Sequence, residues 1–264
     1  AYVKSELSRK FQLKDIGIFK MIFKKEIKNI IKLIIQRFGY HIEYKGRAYF
    51  LLERLFQKSN QVYALQIGAN DGISWDPFFE FGNTEKCIGL LVEPIPRFYE
   101  QLKLNYAVNP KMQAVCVAVH PTASKVSLFR LHESAENKYP NYFKGSASFD
   151  CTHLTKKGVL KKDIEEIIVE CSTLMDLANR YGLPRIDYLQ IDVEGFDLEV
   201  VKMFDFTVYQ PFLIRVEYIN LSESDRKSLT DLVVSQGYGM IKESMDYVFY
   251  KKSNYLGLCY KKII

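Results

Sequence analysis

The chain has 264 residues, of which 48% are apolar and 26% charged; that is the make-up of a globular protein with a full core, and no run approaches the roughly 20 apolar residues of a membrane span. Its net charge of +6 is uneven, with 14 Lys and Arg against 5 Asp and Glu in residues 1–60 but 23 against 26 in residues 61–264, so the body lacks the basic balance of a nucleic-acid-binding domain. Five scattered cysteines without a CxxC pair argue against a disulfide framework and a zinc site, and with no basic-then-apolar leader pattern a cytoplasmic protein is expected.

From Lys14 to Phe38 the apolar residues Ile16, Phe19, Phe23, Ile27, Ile30 and Ile34 recur at helical steps beside a stripe of Lys20, Lys24, Lys28 and Lys32, and Gly39 ends the pattern. Such a helix either packs on the body with its lysines solvated or lies peripherally on an anionic membrane surface through residues 14–38. A second helix is expected over residues 46–57. Residues 1–58 thus read as a basic amphipathic helical extension, and residues 59–264 as the main domain.

Strands are predicted over 62–67, 87–93, 113–119, 125–131, 166–171, 186–192, 212–219, 238–243 and 246–251, with helices over 76–82, 96–106, 173–181, 195–204 and 222–236. This alternation implies an α/β fold with a mostly parallel sheet covered on both faces. The short polar turn Lys242–Asp246 makes the last two strands an antiparallel hairpin. Residues 132–165, polar and studded with aromatics, are too long for an ordinary connection and read as a lid-like insertion.

The first strand runs into Gly68-Ala69-Asn70-Asp71-Gly72, where missing side chains let backbone and ligand approach closely. The second ends on Glu93-Pro94, and a carboxylate there suits the two hydroxyls of a ribose. The loop departs from the GxGxxG dinucleotide pattern, and Asp71 would repel a pyrophosphate. An acidic loop instead suits a cationic ligand carrying an ammonium and a sulfonium, as S-adenosylmethionine does.

With Gln66–Gly72, Val92-Glu93-Pro94, Pro96, Asn105, Thr173–Leu177 and Asp187–Gly195 in this order, the chain over about residues 61–252 resembles the FkbM-type S-adenosylmethionine-dependent methyltransferases. The resemblance implies a seven-stranded Rossmann-like class I methyltransferase fold and O-methylation of a hydroxyl on a carbohydrate, whether glycan, polysaccharide or glycolipid sugar. The alternatives are a polyketide or other small-metabolite acceptor, or a non-catalytic membrane-associated relative. It further implies that Gly68, Ala69, Asn70, Asp71 and Gly72 border the methionine part of the cofactor. Glu93 and Pro94 then face the ribose, and Ile95 and Ala118 the adenine.

Asp192-Val193-Glu194-Gly195 follows an apolar strand, so its carboxylates stand at the strand's carboxyl end, with Asp192 also beside the cofactor. A sugar hydroxyl is a weak nucleophile and needs a base or a metal to lose its proton. Asp192, Glu194 and Glu217 can form an oxygen-rich Mg²⁺ site. The alternative is direct base catalysis by His153 or one of these carboxylates, and Glu217 could instead be ion-paired to Arg215 or Arg97. Tyr139, Tyr142 and Phe149, in a stretch similar to a Gly-Ser-Phe segment of part of that family, suit stacking on a sugar. Trp75 either packs or lines the site.

Overall fold

The computed structural model describes residues 46–252, and the lysine-striped segment 14–38 lies outside them. The first helix, α1 (Arg47–Lys58), buries Leu51, Leu52, Leu55 and Phe56, which spacings of three and four place on one face. They pack with Val62, Phe81 and Val248. This helix, grouped with the extension by charge, therefore belongs to the compact unit, which begins at Gly46.

The strands are β1 (Val62–Ile67), β2 (Cys87–Val92), β3 (Met112–Val115), β4 (Ala118–Val119), β5 (Lys125–Leu131), β6 (Ala147–Ser148), β7 (Ile164–Ser172), β8 (Tyr188–Ile191), β9 (Leu213–Glu217), β10 (Tyr238–Glu243) and β11 (Asp246–Lys251). The remaining helices are α2 (Phe79–Gly82), α3 (Pro96–Asn105), α4 (His153–Lys156), α5 (Leu174–Arg180), α6 (Asp197–Lys202) and α7 (Glu223–Ser235). Seven strands make one sheet in the order β10-β11-β9-β8-β1-β2-β3. Neighbours from β3 to β9 are parallel, and β11 runs antiparallel to both β9 and β10. The sheet is thus mostly parallel and ends in an antiparallel hairpin.

Alternation along β1 divides the core between the two faces. Val62 and Ala64 join α1, α2 and α3 on one side. Leu65 and Ile67 join Leu177, Val201 and Leu229 of α5, α6 and α7 on the other. The chain builds outward from β1 through β2 to β3, then returns to β8 on the other side of β1. The carboxyl end of β1 is therefore the switch point, where a crevice opens between diverging connections.

Two expectations need correction. The apolar run 113–119 is not one strand: Val115 ends the pairing with β2, and Ala118–Val119 turns away to pair with Cys171–Ser172. The strands expected over 125–131 and 166–171 do not enter the parallel sheet but pair antiparallel with each other, in a second sheet ordered β4-β7-β5-β6. Their register sets Lys125 opposite Glu170 and Arg130 opposite Glu165, each pair at 2.7 Å, an arrangement in which opposite charges favour the antiparallel pairing. The long segment 132–165 contains short 3-10 turns, β6 and α4. Cys87, Cys116, Cys151 and Cys171 are free thiols. Among the described residues no helix is long and apolar enough to cross a membrane.

Candidate active site

A cleft of about 720 Å³ opens at the switch point, lined by the carboxyl ends of β1, β2, β8 and β9 and by residues 142–149 of the long segment. That volume lies in the range of small-molecule sites. Gly68 stands at its floor with φ +79°, and a Cβ there would meet the carbonyl oxygen of Asp192 at 1.7 Å. The glycine thus lets the backbone of β1 close on that of β8, which places Asp192 in the cleft. Gly72 serves packing instead: a Cβ would meet Leu102 at 2.5 Å and Tyr106 at 2.8 Å, and the residue does not line the cleft. Asp71 is turned into its own loop, where it accepts the N–H groups of Ile73 and Ser74 and the Ser74 hydroxyl.

Glu93 is the fixed point of the cleft. One carboxylate oxygen accepts the Asn70 N–H at 2.8 Å and the other the Ile95 N–H at 2.9 Å. Each oxygen keeps a further lone pair, so the carboxylate can still take two hydroxyl donors. Burial pushes its pKa up to about 7, against the lowering effect of those two N–H groups. Beyond Glu93 the wall is apolar, formed by Ile95, Ala118, Leu128 and Phe149. Pro94 and Ala69 also face the cleft. A diol-accepting carboxylate beside an apolar slot fits a ribose and its adenine. Five acidic side chains, Asp76, Glu93, Asp192, Glu194 and Glu217, line the cleft against the one ammonium of Lys157, and a bound sulfonium and ammonium would favour their ionised forms.

The acidic centre divides into two chemistries. Glu194, with φ +52°, accepts from Ser146 Oγ at 2.6 Å, Lys157 Nζ at 3.0 Å and Asn220 Nδ2 at 2.9 Å, and lies 3.3 Å from His153 Nε2. Burial opposes its ionisation, but His153, Lys157 and Ser146 prevail and hold its pKa at about 2. It ties the long segment to β8 and is a poor proton acceptor. Glu217 is 7% exposed, with Asn220 donating to it. Burial first, then the charges of Glu194 and Asp197, push its pKa up to about 8. The Asp192 N–H donates to the Ile67 carbonyl, but its carboxyl makes no hydrogen bond or ion pair with any described residue, and the residue is open to water within the cleft. Its carboxyl is nevertheless ringed by protein, and burial followed by the charge on Glu217 raises its pKa well above the ordinary range.

The Mg²⁺ site expected over Asp192, Glu194 and Glu217 is not formed. Among the described residues no group of three His, Cys, Asp or Glu side chains has a ligating arrangement. Glu194 already has its oxygens occupied, with the Lys157 ammonium supplying the positive charge a cation would bring. His153 contacts Glu194 and does not line the cleft, so it orients that carboxylate rather than facing a ligand. Among the described residues Glu217 has no arginine partner: Arg215 pairs with Asp246, and Arg97 with Glu133 and Glu136. Tyr139 donates to Asp163 outside the cleft, whereas Trp75, Tyr142 and Phe149 line it.

Several cleft residues carry no local signal. Asp76 accepts from Gln66 Nε2 at 2.9 Å and from Gln190 Nε2 at 3.3 Å, and burial raises its pKa despite these donors. Gln66 and Gln190 lie on adjacent strands in register, a pairing only the sheet order reveals. Asp197, fully buried with a pKa pushed up by burial to about 7, accepts the N–H groups of Val193 and Gly195 and so shapes the turn that carries Glu194. An Asp opening a helix after a glycine was the only available hint.

The sheet order, with an acidic cleft at its switch point, defines a Rossmann-like fold of the class I methyltransferase type. The family model for the methyltransferase FkbM domain matches residues 66–243. The chain belongs to the FkbM methyltransferase family. Among solved structures it is similar to the methyltransferase FkbM from Methylobacillus flagellatus KT, with a TM-score of 0.44 and 12% identity over 72% of this chain and 43% of that one. It is also similar to the precorrin-6y C5,15-methyltransferase from Geobacter metallireducens GS-15, with TM-score 0.41 and 9% identity over 80% and 92% of the two chains. The METTL16 MTase domain gives 0.44 and 13% over 83% and 76%. This chain thus spans less than half the length of the first of these. No curated protein matches it.

Proposed function

We propose that the chain is an O-methyltransferase that uses S-adenosylmethionine to methylate a hydroxyl of a carbohydrate. The observation that carries this reading is the Asp192 carboxyl, which lines the cleft without a partner among the described residues and is raised in pKa beside Glu217. A carboxylate of raised basicity is what a sugar hydroxyl needs and what a more acidic acceptor does not.

When bound, S-adenosylmethionine supplies an activated methyl group on a positively charged sulfur. Gly68, Asn70 and Asp192 would border its methionine part, Glu93 would accept the ribose hydroxyls, and Ile95 and Ala118 would flank the adenine. Asp192 would accept the proton of the acceptor hydroxyl, and the nearby charge of Glu217 would favour the protonated form of Asp192. Glu194, His153, Lys157 and Ser146 tie the long segment to the end of β8 beside the cleft. Trp75 and Tyr142, 80% and 58% exposed, offer flat apolar faces at the rim on which a sugar ring can stack.

The test is turnover with radiolabelled methyl donor over a panel of oligosaccharides, nucleotide sugars and phenolic small molecules. Label in an O-methyl sugar is expected. Label confined to phenols would move the acceptor to the small-metabolite class. The segment 14–38 remains a proposed peripheral membrane contact, checked by comparing liposome binding of the full chain with that of a chain lacking residues 1–38.

A further inference from the structure

Beside the cofactor cleft lies a second recess of about 710 Å³. The two share Asn70, Ser74, Trp75, Tyr142 and Gly145, so a chain-like molecule with one unit in the first can continue into the second. Trp75 stands on the shared rim in a left-handed conformation, φ +61°, that bulky side chains avoid. The Asp71 carboxylate builds this turn from its two N–H bonds and the Ser74 hydroxyl. Tyr142 is braced from behind by Phe143, with ring centroids 4.5 Å apart. The strained turn holds out an exposed indole, and the braced phenol lies on the same shared rim, so the rim offers two aromatic faces for stacking.

The polar lining of the second recess is asymmetric. Its carboxylates are engaged, Asp71 within its own turn and Glu136 with Arg97. Lys144 lines the recess half-buried and makes no ion pair or hydrogen bond with any described residue. Gln101 and Asn141 add amide groups along the same walls. An ammonium in the wall of a recess, without a counter-charge among the described residues, is a group that an anionic ligand would pair.

We propose that the second recess receives the neighbouring unit of the carbohydrate acceptor, and that this unit bears an anionic group, a carboxylate or a phosphate, which pairs with Lys144. This rests on the carbohydrate reading above and narrows it to acidic sugars. Trp75 is the chain's single tryptophan, so its fluorescence reports on this rim alone. The full chain, saturated with S-adenosylhomocysteine, is titrated with a glucuronic acid-containing disaccharide, with glucose 6-phosphate and with neutral cellobiose.

At least one acidic probe is expected to bind about tenfold more tightly than cellobiose, and which one does so separates carboxylate from phosphate. Lys144→Gln should abolish that preference and Lys144→Arg retain it; Lys144→Met, which keeps the aliphatic stem, gives the same readout if glutamine disturbs packing. Equal binding of all three probes, or an acid preference that survives in both Lys144→Gln and Lys144→Met, overturns the proposal. Calorimetry with S-adenosylhomocysteine on the same proteins keeps the two readings apart. Unchanged cofactor affinity in the Lys144 variants is expected, and a wild-type chain that binds no S-adenosylhomocysteine would undo the methyltransferase reading instead.

Discussion

Acidification should weaken cofactor binding through one side chain. Glu93 is 4% exposed, and burial raises its pKa to about 7 although the Ile95 and Asn70 N–H groups pull the other way. Ribose hydroxyls donate, so both need the ionised carboxylate. A group of pKa about 7 is roughly nine-tenths ionised at pH 8 and roughly one-tenth at pH 6, so the Kd for S-adenosylhomocysteine should rise about tenfold between them, ~1.4 kcal/mol. The stability of the free protein runs the opposite way. Its folded carboxyl binds a proton more tightly than the unfolded one at 4.5, so this contribution is present below pH 4.5 and is lost as pH rises through 7. Calorimetry at pH 6, 7 and 8 on wild type and Glu93→Gln provides the assay. The variant should bind at least about tenfold more weakly at pH 8, one or two charge-assisted hydrogen bonds being lost, and show little of the slope. A pH-independent wild type, or a variant with the wild-type slope, would refute the reasoning.

The remaining predictions concern the floor, the base and the lid. Gly68→Ala forces a Cβ against the Asp192 carbonyl at a positive φ and should lower stability by about 3 kcal/mol or more in urea unfolding; a loss below 1 kcal/mol would mean the two strand ends have room to part. Asp192→Asn should reduce kcat by roughly 10²- to 10⁴-fold while S-adenosylhomocysteine still binds, and undiminished turnover would remove Asp192 as the base. Glu194→Ala leaves Ser146, Lys157, His153 and Asn220 without their shared acceptor and should cost about 2–4 kcal/mol, with faster proteolysis within residues 141–157. Because the folded pKa of Glu194 is about 2 against an ordinary 4.5, its contribution is present above about pH 4.5 and lost towards pH 2. The variant should therefore lack that part of the acid transition in a denaturation series.

The parts of this molecule legible in one dimension are those that local chemistry dictates. The apolar runs 62–67 and 87–92 had to be buried strands, and the polar turn at Ser244, with φ +38°, had to separate an antiparallel pair. Gly68 was legible as a close approach, but the structure shows that the approaching group is the Asp192 carbonyl, a contact set by the adjacency of β1 and β8. The same limit explains β5 and β7: each reads as a strand, yet their pairing depends on charges about 40 residues apart. Glu194 stands at the end of β8 as its place after an apolar strand implies, but its partners Ser146, Lys157 and Asn220 come from three segments, and they make of it a clasp rather than a metal ligand. Asp76, Gln66 and Gln190 meet only because their strands and loop converge at the switch point.

The most direct measurement is the crystal structure of the chain with S-adenosylhomocysteine. The ribose oxygens should lie within hydrogen-bonding distance of the Glu93 carboxylate, with the adenine between Ile95 and Ala118 and the sulfur on the Asp192 side of Gly68. A nucleoside bound elsewhere, with Glu93 still holding only the Asn70 and Ile95 N–H groups, would contradict the account.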